Sequence, residues 1–140
     1  MRNVWRLLPS VVLYAACLPL DGFGSRGGGD WPGFFILIMG VFPIASTPAN
    51  LTWLANPLIF GAWAMIWLAE KTIAVAIGGI AVMAAAAFLF METVVTSTGG
   101  EPSLITRLGT GYWLWLTSAA AACLGAFFCR APLLRAKVTS

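Results

Sequence analysis

The stretch TIAVAIGGIAVMAAAAFLFMETVV, Thr72–Val95, decides how the chain is read. It contains one charge, Glu92, close to its end, and no proline. A helix rises 1.5 Å per residue, so roughly 20 apolar residues cross about 30 Å of hydrocarbon. This run meets that length, and oil rather than water is its expected solvent. The composition agrees. Of 140 residues, 60 % are apolar and 9 % charged, and the mean hydropathy is +0.90. A soluble domain carries about a quarter charged residues. So few charges cannot coat the surface of a core this apolar, which excludes a water-soluble globular enzyme. Disorder is excluded as well, since it requires low hydrophobicity and high net charge.

Outward from this run lie four further apolar stretches: Val4–Leu20, Trp31–Ile44, Leu51–Ala69 and Leu108–Phe128. The second reaches only about 21 Å as a helix. It opens on Trp31-Pro32-Gly33 and meets Pro43 near its end, which act as start and stop signals. The expectation is therefore an all-α polytopic membrane protein forming one domain, 1–140. Four transmembrane helices are expected at about 4–20, 51–69, 72–95 and 108–128, with 31–44 as a short re-entrant or interfacial helix on the outer side. Glu70-Lys71 makes a tight turn, so the helices on either side of it should be antiparallel neighbours.

Charge placement sets the orientation, because cytoplasmic flanks collect Lys and Arg. With four spans and both termini cytoplasmic, Arg2, Arg6, Lys71, Arg130, Arg135 and Lys137 lie inside, against Arg26 and Arg107 outside. Five spans split the cations five against three. Making 31–44 the first span, with 4–20 interfacial, gives seven against one. Arg2 and Arg6 ahead of an apolar run look like an uncleaved signal anchor, and 31–44 is short, so 4–20 is favoured as the first span. Segments 21–30 and 96–103 read as turn-rich outer loops. The glycines at 22–29 follow no strand in this reading and are not a phosphate cradle.

Several chemistries are missing. The chain has no histidine, which removes the commonest ligand of zinc, haem iron and copper and the usual general base near neutral pH. Cys17, Cys123 and Cys129 show no CxxC spacing and read as small buried hydrophobes. Hence no metal, cofactor or catalytic residue is expected. The net charge of +3 bears on orientation rather than on nucleic acid. No ionised group is stationed at mid-depth, which argues against ion-coupled transport. Glu92 reads as an interfacial carboxylate in contact with water or Arg107.

Two features inside the spans stand out. Asn56-Pro57 is polar and helix-breaking at once: Asn56 either caps a helix starting at Pro57 or supplies a partner to backbone freed at a kink, and it also reads as a polar notch. The pairs Ala74/Gly78, Ala81/Ala85, Ser118/Ala122 and Ala121/Gly125 are spaced by four residues. Such faces allow close helix–helix approach, inside this bundle or against another protein. Trp5, Trp31, Trp53, Trp113 and Trp115 fall near span ends, as an interfacial belt requires.

The patterns Trp53-Leu54-Ala55-Asn56-Pro57-Leu58 and Gly109-Thr110-Gly111-Tyr112-Trp113-Leu114-Trp115-Leu116-Thr117-Ser118, with the short segment Trp31–Gly40, resemble a loose group of small bacterial inner-membrane proteins of unassigned function. The resemblance implies a four-helix protein with an outer half-helix in the inner (cytoplasmic) membrane, and no reaction or cofactor. The expected role is non-catalytic: an accessory or structural subunit packing against other integral membrane subunits and membrane lipids, with no nucleic-acid partner. The alternative is a small homo-oligomeric transporter or channel with a polar stripe of Asn56, Thr117 and Ser118. A lipid head-group enzyme would have to be built from Glu92, Glu101 and Arg107, which offer no tuned base.

Overall fold

The computed structural model describes residues 4–96 and 101–129. Arg2, Arg130, Arg135 and Lys137, which entered the charge count, lie outside the described residues, as do residues 97–100 of the expected outer connector.

The fold is mixed α/β, which corrects the all-α expectation. The elements run α1 (Val4–Cys17), β1 (Asp21–Ser25), β2 (Gly29–Pro32), α2 (Gly33–Met39), α3 (Pro48–Leu51), α4 (Ala55–Trp67), α5 (Lys71–Ala87), β3 (Thr93–Val95), β4 (Pro102–Leu108) and α6 (Thr110–Phe127). Short 3-10 turns join α3 to α4 at Thr52–Leu54 and extend α5 over Phe88–Phe90. Of the described helices, one is long and apolar enough to cross a membrane: the 20-residue segment Lys71–Phe90. Four such spans were expected. The helices inside Val4–Leu20 and Leu51–Ala69 are only 14 and 13 residues long, because the chain bends into turns at their ends, whereas the 18-residue α6 is long enough but is made less apolar by Thr110, Tyr112, Thr117 and Ser118.

Strands form where outer loops were expected, at β1, β2 and the start of β4, and β3 forms at the end of the expected 72–95 span. Together they make an antiparallel sheet in the order β2-β1-β4-β3. The glycine-rich segment is a hairpin between β1 and β2, and Gly27 (φ 82°) and Gly29 (φ 75°) supply the left-handed backbone its turn needs. The glycines thus do follow a strand, but as a β-turn rather than the strand-to-helix turn of a phosphate cradle. In the centre of the sheet Phe23 pairs with Leu108 and Gly24 with Arg107, and at its edge Thr93 pairs with Leu104.

The sheet sits at the end of the bundle where α1 and α5 finish and α4 and α6 begin. At the opposite end α4 turns into α5 through a Schellman motif. Glu70 N–H donates to the Met65 carbonyl at 2.9 Å and Ala69 N–H to that of Ile66 at 3.1 Å, with Ala69 at φ 60°. Three core clusters follow one another along the bundle. Phe23, Phe88, Val94 and Tyr112 lie beneath the sheet, Tyr14, Ile59, Ala81 and Ala119 at mid-height, and Ile66, Ala74, Ala126 and Cys129 at the far end.

The small residues let the helices meet closely. Ala74, Ala81, Ala85, Ser118 and Ala122 are fully buried. A Cβ at Gly78 would stand 3.0 Å from Cys123 Cα, and one at Gly125 would stand 2.6 Å from the Arg6 carbonyl oxygen. These faces are used inside the chain, between α5 and α6 and between α6 and α1.

Candidate functional site

Two buried polar nodes lock the helices. In the first, Ser10 and Ser118 bond reciprocally: Ser10 Oγ donates to the Ser118 carbonyl at 2.8 Å, and Ser118 Oγ donates to that of Ser10 at 2.9 Å. Trp63 Nε1 donates to Ser10 Oγ at 2.8 Å, which adds α4 to the α1–α6 pair.

The second node is Asn56. Pro57 has no N–H, so it offers nothing to the carbonyl four residues back, that of Trp53. Asn56 Nδ2 donates to that carbonyl instead, at 3.0 Å. Asn56 Oδ1 meanwhile accepts from Tyr14 Oη on α1 and from Trp115 Nε1 on α6, both at 2.8 Å. One amide thereby repairs a proline gap and ties three helices together. It does not cap a helix at Pro57, since α4 already begins at Ala55.

Asn50 does related work at the sheet. Its Nδ2 donates to the Val95 carbonyl at 2.9 Å, and its Oδ1 accepts from Val95 N–H at 3.1 Å. A side-chain amide stands in for a neighbouring strand and closes the free edge of β3.

Between the sheet, α2 and the starts of α4 and α6 is a cavity of about 690 Å³, within the roughly 300–1,000 Å³ typical of small-molecule sites. Phe23 and Trp31 line it from the sheet, Ile36 and Met39 from α2, and Asn56 and Trp115 from the bundle. No Asp, Glu, Lys or Arg lines it. No buried side-chain nitrogen or oxygen among the described residues lacks a hydrogen-bond partner, and no group of His, Cys, Asp or Glu among them has metal-binding geometry. The wall is therefore mostly apolar, with Tyr14, Cys17 and Tyr112 as its titratable side chains.

Charged residues gather on the sheet. Gly24 lies between Asp30 on β2 and Arg107 on β4, which pair across the side chain it lacks. Arg107 Nη2 is 2.5 Å from Asp30 and 3.4 Å from Asp21, and all three side chains are about half exposed. The hydrogen bond that Arg107 donates to Asp30, then the charge of that carboxylate, hold the guanidinium above its usual pKa. Arg107 thus pairs with Asp30 and Asp21, so of the two contacts expected for Glu92, water or Arg107, the ion pair with Arg107 does not form.

The sequence-predicted residues separate along these lines. Asn56 and Ser118 are buried in different nodes, while Thr117 is exposed and donates to the Trp113 carbonyl of its own helix at 2.7 Å. The three do not form one stripe. Trp53 and Trp115, expected in an interfacial belt, turn inward as hydrogen-bond donors, Trp53 Nε1 reaching the Leu37 carbonyl at 3.1 Å. Trp5 and Trp113 are exposed. Sequence reasoning missed Asn50 and Ser10. The signal available for Asn50 was Thr47-Pro48, a capping residue before an N1 proline, which marks a helix start and sets Asn50 three residues on.

No family model, curated protein or solved structure matches the chain.

Proposed function

We propose that this chain is a non-catalytic membrane protein that packs as an accessory subunit against a larger membrane assembly. The observation that carries the reading is the outward face of α5. Only 28 % of the most apolar window in Lys71–Phe90 is buried within the chain, unlike the mostly buried core helix of a soluble protein. Ala76, Ile80 and Met83 lie on its exposed side. A Cβ added at the adjoining Gly79 would meet nothing within 4 Å, whereas one at the neighbouring Gly78 would meet Cys123 at 3.0 Å. One glycine serves the fold and the next leaves a smooth surface, the kind that membrane helices use for close approach.

Membrane residence is supported by large apolar side chains exposed on every long helix: Trp5 and Val12 on α1, Phe60 and Trp67 on α4, Ile80 and Met83 on α5, and Leu124 and Phe127 on α6. Soluble monomers rarely present so much apolar surface. In this reading the sheet end lies on the outer side of a bacterial inner membrane, with Arg26 and Arg107, and Lys71 lies at the cytoplasmic end.

The test is extraction of native membranes in mild detergent, followed by native electrophoresis. The chain is expected to migrate with a stoichiometric second protein. Gly79→Leu should abolish that association while leaving helicity and thermal unfolding of the isolated chain unchanged. A chain found in the soluble fraction, or a lone monomer in mild detergent, would refute the proposal. So would an association indifferent to Gly79→Leu.

A further inference from the structure

We propose that the cavity beneath the sheet holds one acyl chain of a membrane phospholipid. The proposal rests on the membrane residence argued above and adds a ligand to it. The indole, phenol and amide groups of the wall have partners within the protein: Tyr14 and Trp115 on Asn56, Asn56 on Trp53, Trp53 on Leu37 and Tyr112 on Ala85, which leaves the small hydroxyls of Ser46 and Thr96 as its polar groups without a side-chain hydrogen bond. Water in such a space needs two to four polar partners, and apolar cavities take apolar guests. A nucleotide, a sugar or an anion needs donors or charge, and the lining carries no charged residue. A quinone or similar ring brings carbonyl acceptors that call for a few placed donors, and the indole and phenol donors lining the cavity are committed elsewhere. A plain hydrocarbon chain makes no such demand.

The approach to the cavity is apolar as well. Met39 and Phe42 line it and are also 42 % and 77 % exposed. They follow Phe34 and Ile38, exposed on the same short α2 segment. An apolar wall thus continues onto an apolar surface, so a chain can enter from hydrocarbon without crossing a polar rim.

The test is native mass spectrometry of the full-length protein, purified from its membranes in mild detergent, together with solvent extraction and identification of the bound lipid. One phospholipid per chain is expected to survive release from the micelle. Met39→Trp, which fills the entrance, and Phe42→Asp, which places a charge on an exposed position there, should each lower the retained lipid at least tenfold. Circular dichroism and thermal unfolding should stay as in the parent. No retained lipid, a retained isoprenoid quinone in place of phospholipid, or equal retention in both variants would each overturn the proposal. Fractionation of the same cells separates the two readings. A membrane-bound protein without lipid sinks the cavity proposal alone, and a soluble protein carrying an acyl chain sinks membrane residence alone.

Discussion

Replacing Asn56 with leucine removes three hydrogen bonds in a volume-conserving way. Tyr14 Oη and Trp115 Nε1 lose their acceptor, and the Trp53 carbonyl loses its side-chain donor. A buried polar group left unpaired costs about 1–3 kcal/mol. Tyr14 is buried, but Trp53 and Trp115 are only partly so and regain some solvation, so the expected total is about 3–5 kcal/mol. That is a large fraction of the roughly 5–15 kcal/mol that holds a domain folded. The test of the repair idea is a cycle with Pro57→Ala. Alanine restores a backbone N–H for the Trp53 carbonyl. In the Asn56→Leu background it fills a need, whereas in the parent it competes with Asn56 Nδ2. A coupling of about 1–2 kcal/mol is expected. The effect of the substitution on the unfolded chain is common to both backgrounds and cancels. Unfolding in mild detergent, followed by circular dichroism and tryptophan emission, measures all four proteins. An Asn56→Leu protein as stable as the parent, or a Pro57→Ala effect equal in both backgrounds, would refute the reasoning.

Three further outcomes are expected. Ala69→Gly should stabilise the chain by about 1 kcal/mol, because glycine adopts the left-handed backbone at this helix end without steric cost, and a rise in Tm checks it. Asn50→Ala should cost about 2–3 kcal/mol and expose the β3 edge, read as faster amide hydrogen exchange at Val95. Arg107→Ala should leave the unfolding midpoint almost unchanged, since its ion pairs are half exposed, and any difference should shrink further in high salt.

The apolar runs located the long helices because hydropathy reports where side chains leave water. It does not report how backbones pair, and there the reading failed. β1 is Asp21-Gly-Phe-Gly-Ser25, with two glycines and no β-branched residue, so it looked like a loop. Its partner β4 lies some 80 residues away and contains Leu104-Ile105-Thr106, a strand signal that went unused beside the turn residues before it. β3 is hidden in the tail of the longest apolar run. At the candidate site, Asn56-Pro57 was legible as a place where freed backbone needs a partner. Its bonds to Tyr14 and Trp115 depend on three helices meeting, which no local pattern encodes. The small-residue spacings were legible as packing faces. That they point inward, and that Gly79 rather than Gly78 looks outward, required the fold.

The sheet order has a consequence for synthesis. Its central pair joins β1, near the start of the chain, to β4, near the end, and the Ser10–Ser118 bonds span 108 residues. At about 5–20 residues per second, the first helix and hairpin leave the ribosome roughly 5–20 seconds before their partners exist. During that interval the hairpin's inner edge stands open, with no strand of its own chain to meet. The nascent protein is therefore most vulnerable to mispairing early, and it closes only when its final helix emerges.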